Sequence, residues 1–90
     1  MPESFSKEVT IVNELGLHAR SAAKIAGISQ KAKAEVRIVR DGTAVDAKSI
    51  IDMLTLACGK GSRIRVEIDS ASDMNILKKI VSLVESGFGE

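Results

Sequence analysis

Three observations predict an α+β fold in which a mostly antiparallel, four-stranded sheet carries three helices on one face. Period-two and helix-period apolar patterns follow one another in the order β-α-β-β-α-β-α. Asp41-Gly42 stands between the second and third strand patterns and is a two-residue hairpin signal. No proline follows Pro2, so no later apolar run is interrupted where a regular element needs its amides. A hairpin in the middle of such an order favours antiparallel pairing, with the helices stacked on one side.

Lys7 to Val12 alternates Val9 and Ile11 with Glu8 and Thr10 and reads as the first strand. Asn13 to Leu17 contains Gly16 and reads as a loop. From Ala19 a helical pattern puts Ala19, Ala22, Ala23, Ala26 and Gln30 on one face, and its helix formers tolerate Gly27. Glu35 to Arg40 alternates around Val36 and Ile38 and forms the second strand, and Thr43 to Asp46 forms a short third one. Lys48 to Ala57 places Ile50, Ile51, Leu54 and Ala57 on a helical stripe that is ordinarily core, with Ser49 at its start as a cap and Gly59 and Gly61 at its end. Arg63 to Asp69 has the clearest strand alternation in the chain, Ile64, Val66 and Ile68, and belongs mid-sheet or firmly against helices. Ser72 and Asp73 favour a helix start, Leu77, Ile80, Val81 and Val84 supply its apolar face, and Gly87 stops it. Met1 to Ser6 and Phe88 to Glu90 are expected to fray.

Ninety residues are expected to form one domain, 1–90, and 44% hydrophobic against 28% charged residues describes a globular chain. A formal net charge of +1 provides no field to attract polyanions, and Phe5 and Phe88 are the only aromatic residues, so no platform for stacking bases exists. Nucleic acid is therefore not an expected partner. No run approaches the roughly 18 apolar residues of a membrane span, so membrane insertion is not expected either. Cys58 is the only cysteine, and Met1 to Thr10 lacks a secretory signal pattern, which points to a cytoplasmic location. His18 and Cys58 have no metal-ligand spacing, and no glycine-rich nucleotide loop is present, so neither a metal nor a cofactor is expected.

Chemistry then centres on the only histidine. Gly16-Leu17-His18-Ala19-Arg20 spans the loop-to-helix boundary, where unpaired amides and the helix dipole favour an anion. A phosphoryl group on His18 would be held by Ala19, Arg20 and Ser21, with the Arg20 guanidinium matching phosphate oxygens. A neutral imidazole nitrogen can attack phosphorus without help from a base. The same residues also fit a simpler reading: a capping or solvated His18, a turn at Gly16 and a solvated Arg20.

Gly16-Leu17-His18-Ala19-Arg20 with Ala22-Ala23 resembles the active-site segment of the histidine phosphocarrier proteins (HPr) of the bacterial phosphoenolpyruvate-dependent phosphotransferase system. Lys48-Ser49-Ile50, Leu54, Leu56 and Lys60-Gly61 resemble that family's second-helix segment, at the family's spacing from His18. The likeness runs from about Val9 to Val84. It implies the open-faced β-sandwich of HPr type. It also implies a phosphocarrier, rather than a free-standing enzyme, that accepts a phosphoryl group on His18 from enzyme I as pros-phosphohistidine. The group would pass to an enzyme IIA component in sugar uptake or its regulation, with Arg20 stabilising the phosphoryl oxygens. Ser49 would be the family's regulatory serine, addressed by a serine kinase and phosphatase, with a plain helix-start hydroxyl as the competing reading. Ile50 and Leu54 would belong to a partner-binding patch on a protein expected to be monomeric.

The likeness is incomplete in one place: Ser21 stands where most of the family has proline, which leaves an extra amide and a hydroxyl for a phosphate and puts the transfer rate in question. Asn13-Glu14-Leu15-Gly16 and Ser86-Gly87-Phe88-Gly89-Glu90 resemble the nitrogen-related branch, whereas Lys48-Ser49-Ile50 leans toward the sugar branch. A regulatory module acting only through the Ser49 face is a further alternative. Relatives of that kind lack the histidine, so His18 and Arg20 together argue against it.

Overall fold

The computed structural model of the protein describes residues 5–90. Its elements are β1 (Phe5–Thr10), α1 (Ala19–Ser29), β2 (Val36–Arg40), β3 (Thr43–Asp46), α2 (Ile50–Leu54), β4 (Arg63–Ile68) and α3 (Met74–Glu85). Short 3-10 turns, Ala71–Asp73 and Gly87–Gly89, flank α3. The sheet order is β1-β4-β2-β3, and every neighbouring pair is antiparallel. The strand with the clearest alternation, β4, is therefore central. Residues 1–4, part of the segment expected to fray, lie outside the described residues.

Register explains how the sheet becomes two-faced. Val9 lies opposite Ile64, while Val66 and Ile68 lie opposite Ile38 and Val36, so the buried residues of three strands share the face under the helices. The opposite face carries Glu8, Arg37, Arg65, Glu67 and Asp69. Arg37 binds Asp69 through two nitrogens at 2.6 and 3.1 Å and reaches Glu67 at 3.3 Å, and Arg65 bonds Glu67 at 2.7 Å. These contacts hold the Asp69 carboxyl below its usual range. For Glu67, burial acts upward, but hydrogen bonds from Arg65 and Arg37 outweigh it and the net shift is down. Asp41 and Gly42 both take positive φ, 50° and 82°, as a two-residue hairpin turn with right-handed twist requires.

Burial corrects two sequence expectations. In α1 the inner face is Ser21, Ala22, Ile25, Ala26 and Ser29, whereas Ala19, Ala23 and Gln30 are exposed. The alanine spacing fitted either face, and the larger apolar surface of Ile25 decides which is buried. In α2 the stripe of Ile50, Ile51, Leu54 and Ala57 faces outward, with Ile51 76% exposed. Met53 and Leu56 fill the core instead, and the helix ends at Leu54, well before Gly59. A helix this short has room for only one inward turn, and Met53 occupies it.

The end of the chain departs further from expectation. Phe88 is fully buried at φ 61°, between Gly87 at 74° and Gly89 at 76°, and so anchors the segment expected to fray. Asp73 does not cap α3 with its side chain. Its buried carboxylate accepts the amides of Lys33 and Ala34 at 2.9 and 3.0 Å, tying the start of α3 to the link between α1 and β2.

Candidate active site

The backbone aims His18 before any side chain acts. Ile11 is buried after β1 and exchanges backbone hydrogen bonds with Ser62 and Gly61. The chain then turns at Asn13, whose carbonyl accepts the Gly16 amide at 3.1 Å and whose side-chain amide donates to the Gly16 carbonyl at 2.9 Å. Gly16 has φ +65°, and a Cβ there would lie 2.4 Å from the Cys58 carbonyl oxygen, so a side chain is excluded by conformation and by space. That same carbonyl accepts the Leu17 amide at 2.8 Å. With Leu17 in the core, the extended His18 falls on the outer side at the N-cap of α1.

At the start of α1 the first amide to bond within the helix is that of Ala22, to the His18 carbonyl at 2.8 Å, so the amides of Ala19, Arg20 and Ser21 have no acceptor in the helix ladder. Arg20 is exposed and takes part in no ion pair among the described residues. Ser21 behaves differently from its sequence reading. Its hydroxyl is fully buried, accepts the His18 amide at 2.9 Å and lies 3.1 Å from the carbonyls of Gly16 and His18. The hydroxyl that the sequence offered to a phosphate is thus used to brace the loop.

Glu90 completes the site, and no sequence spacing pointed to it. Its Oε2 lies 2.5 Å from His18 Nε2, and its Oε1 accepts the Asn13 side-chain amide at 3.1 Å. These hydrogen bonds, His18's first and Asn13's second, hold the Glu90 carboxyl below its usual range. Phe88 fixes the segment by burial, and the Lys24 ammonium donates to the Phe88 carbonyl. The two segments that resembled the nitrogen-related branch therefore meet at His18. A carboxylate only accepts, so the tautomer that matches Glu90 carries Nε2–H and leaves the lone pair on Nδ1.

Ser49 is the N-cap of α2, and its hydroxyl accepts the Asp52 amide at 3.2 Å. Beside it, Ile50 and Leu54 are 37% and 38% exposed, and Ile51 and Leu15 more so. Ile51, next in α2, adds apolar surface to the pair read from sequence. Cys58 is buried, which raises its thiol pKa, with Arg40 acting against that shift. Only its backbone carbonyl serves the site.

A family model described as the PTS HPr component phosphorylation site matches residues 5–86. The chain belongs to the HPr family. Phosphocarrier protein HPr of Cupriavidus necator is 37% identical over 84 residues, 93% of this chain and 94% of the relative. Phosphocarrier protein NPr of Klebsiella oxytoca is also 37% identical, over 83 residues, 91% of this chain and 92% of its own. Among solved structures, HPr-C-His of Thermoanaerobacter tengcongensis superposes with a TM-score of 0.86 at 31% identity, covering 96% of this chain and 97% of that one. HPr of Bacillus anthracis does so at 0.83 and 31%, covering 90% and 96%. The fold is thus the HPr-type open-faced sandwich, and the protein is an HPr-type phosphocarrier of the phosphotransferase system. No helix among the described residues is long and apolar enough to cross a membrane.

Proposed function

We propose that this HPr-type chain, as one domain and a monomer in the cytoplasm, accepts a phosphoryl group on His18 from phosphorylated enzyme I and donates it to an enzyme IIA protein in sugar uptake or its regulation. The His18–Glu90 hydrogen bond is the observation that carries the reading of the site, because it leaves Nδ1 as the free nucleophile. The Nδ1 lone pair forms the new N–P bond while the donor's P–N bond breaks, and the proton on Nε2 stays on the Glu90 side. Negative charge on the phosphoryl oxygens is met by the amides of Ala19, Arg20 and Ser21 and by the Arg20 guanidinium. Ile50 and Leu54 provide apolar contacts for partners, exposed as a docking patch must be.

Ser49 is the site for a regulatory kinase and phosphatase. A phosphate there would replace a neutral cap with about −1.5 to −2 charge next to Ile50, favourable for the helix start and repulsive to an acidic partner. The contact of Asn13 with Glu90 favours a second reading, transfer within the nitrogen-related branch.

Intact-mass analysis after incubation with phosphoenolpyruvate and enzyme I tests the carrier. One acid-labile phosphoryl adduct is expected, absent in His18→Ala, and an unmodified wild type would overturn the reading. Offering sugar-branch and nitrogen-branch enzyme I in parallel assigns the branch by rate. ATP with an HPr serine kinase should add an acid-stable adduct that Ser49→Ala lacks, and labelling retained in that variant would exclude Ser49.

A further inference from the structure

A groove of about 340 Å³ runs between α1 and α3 and contains no α2 residue. Its floor is Gly27, Ile28, Ile76 and Leu83, and its rim is Lys24, Lys31 and Lys79. Along α1, Lys24, Gly27 and Ile28 stand at i, i+3 and i+4, and Lys31 follows just past the helix end, so the groove extends about two helical turns, roughly 10 Å.

Two independent features show what the groove fits. The first is Gly27, in the interior of α1 at ordinary helical backbone angles, where a Cβ would meet no atom within 4 Å. Neither backbone conformation nor packing within this chain calls for glycine there, although glycine weakens a helix interior. A bare backbone at this position is what close approach by another element requires.

The second feature is charge. Arg20, Lys24, Lys31 and Lys33 occur between Ala19 and Ala34 without a single carboxylate. Lys31 and Lys79 belong to no ion pair among the described residues, where the pairs fall on the sheet, the loops and His18, while the Lys24 ammonium is held by the Phe88 carbonyl. The near-neutral total thus conceals a cationic groove. A second copy of this chain is a poor occupant, because its α1 is equally cationic and its α3 presents Lys78 and Lys79.

We infer that the α1–α3 groove docks an acidic amphipathic helix of a partner protein, through a surface separate from Ile50 and Leu54. Apolar side chains two turns apart on that helix lie over Ile28, Ile76 and Leu83, its backbone passes Gly27, and its flanking carboxylates meet Lys31 and Lys79. The carrier could then be held by one protein while His18 exchanges phosphate with another.

The test titrates the ¹⁵N-labelled full chain with a synthetic helix bearing Leu at i, i+3, i+4 and i+7 and Glu on both flanks. A Lys-for-Glu version of the helix and phosphatidylglycerol vesicles serve as comparisons. Amide shifts confined to Lys24–Lys31 and Ile76–Leu83 are expected, with affinity falling at least about tenfold in Lys31→Glu/Lys79→Glu. The same double variant should accept phosphate on His18 at the wild-type rate, which separates this inference from the carrier reading. Shifts centred on α2, equal binding of the cationic helix, unchanged affinity in the double variant, or binding to vesicles in place of the peptide would each overturn it.

Discussion

At His18 the two nitrogens of a single imidazole stand in different surroundings. Nε2 is bound to Glu90, which leaves the lone pair on Nδ1. Glu90→Gln keeps the shape of that contact but removes the charge that favours Nε2–H. Phosphoryl uptake from enzyme I should slow by roughly tenfold, the low end of the effect of altering a partner that orients a functional imidazole. Rapid-quench measurement checks this, and an unchanged rate would show that Glu90 is a bystander. Because hydrogen bonding holds the Glu90 carboxyl below its usual range, the contact persists on acidification until pH reaches that lowered value. His18, Arg20 and Ser49 were legible as residue types at helix starts. Glu90 was not, since a contact across 72 positions leaves no local pattern. Ser21 was legible as a departure from proline, yet its role as a buried brace depended on which face of α1 turned inward.

Among the elements, α1 illustrates how two glycines of the same chain differ. Gly16 before it is required, by its positive φ and by the Cys58 carbonyl 2.4 Å from a built Cβ. Gly27 within it is required by nothing in the fold. Gly16→Ala should therefore destabilise by about 2–4 kcal/mol through strain and overpacking. Gly27→Ala should stabilise by about 0.5–1 kcal/mol through helix propensity. Urea midpoints at constant m-value distinguish the two, and a destabilised Gly27→Ala would mean that the glycine serves the fold after all. Strands were read well because β4 and the Asp41-Gly42 hairpin are strong local signals. The apolar stripe of α2 misled because periodicity marks a face without saying whether that face meets the core or a partner.

Among the described residues charge is sorted largely by layer: most ion pairs lie on the open sheet face, and the lysines of α1 and α3 form none. Asp69 and Glu67 have lowered carboxyl pKa values in the folded state, so their contribution to stability is present above the ordinary carboxylate range. It is lost as pH falls through the lowered values. The melting temperature should accordingly drop between about pH 5 and pH 2, and by less in Arg37→Ala, which removes the shared partner of both carboxylates. Identical acid profiles for the two proteins would refute this assignment. The effect should be modest because the groups are largely solvated.

The sequence by itself determined the order of elements, the hairpin, the alternation of β4, and the placement of His18 and Ser49 at helix starts. Each of these rests on a period or a cap that acts within a few residues. Only the tertiary structure decided which face of α1 and of α2 is buried and that the Ser21 hydroxyl is spent on the loop. It alone placed Asn13 and Glu90 at the imidazole and opened a cationic groove between α1 and α3. Those features depend on which distant surfaces meet, and the burial of Phe88 and the packing of α1 and α3 settle that.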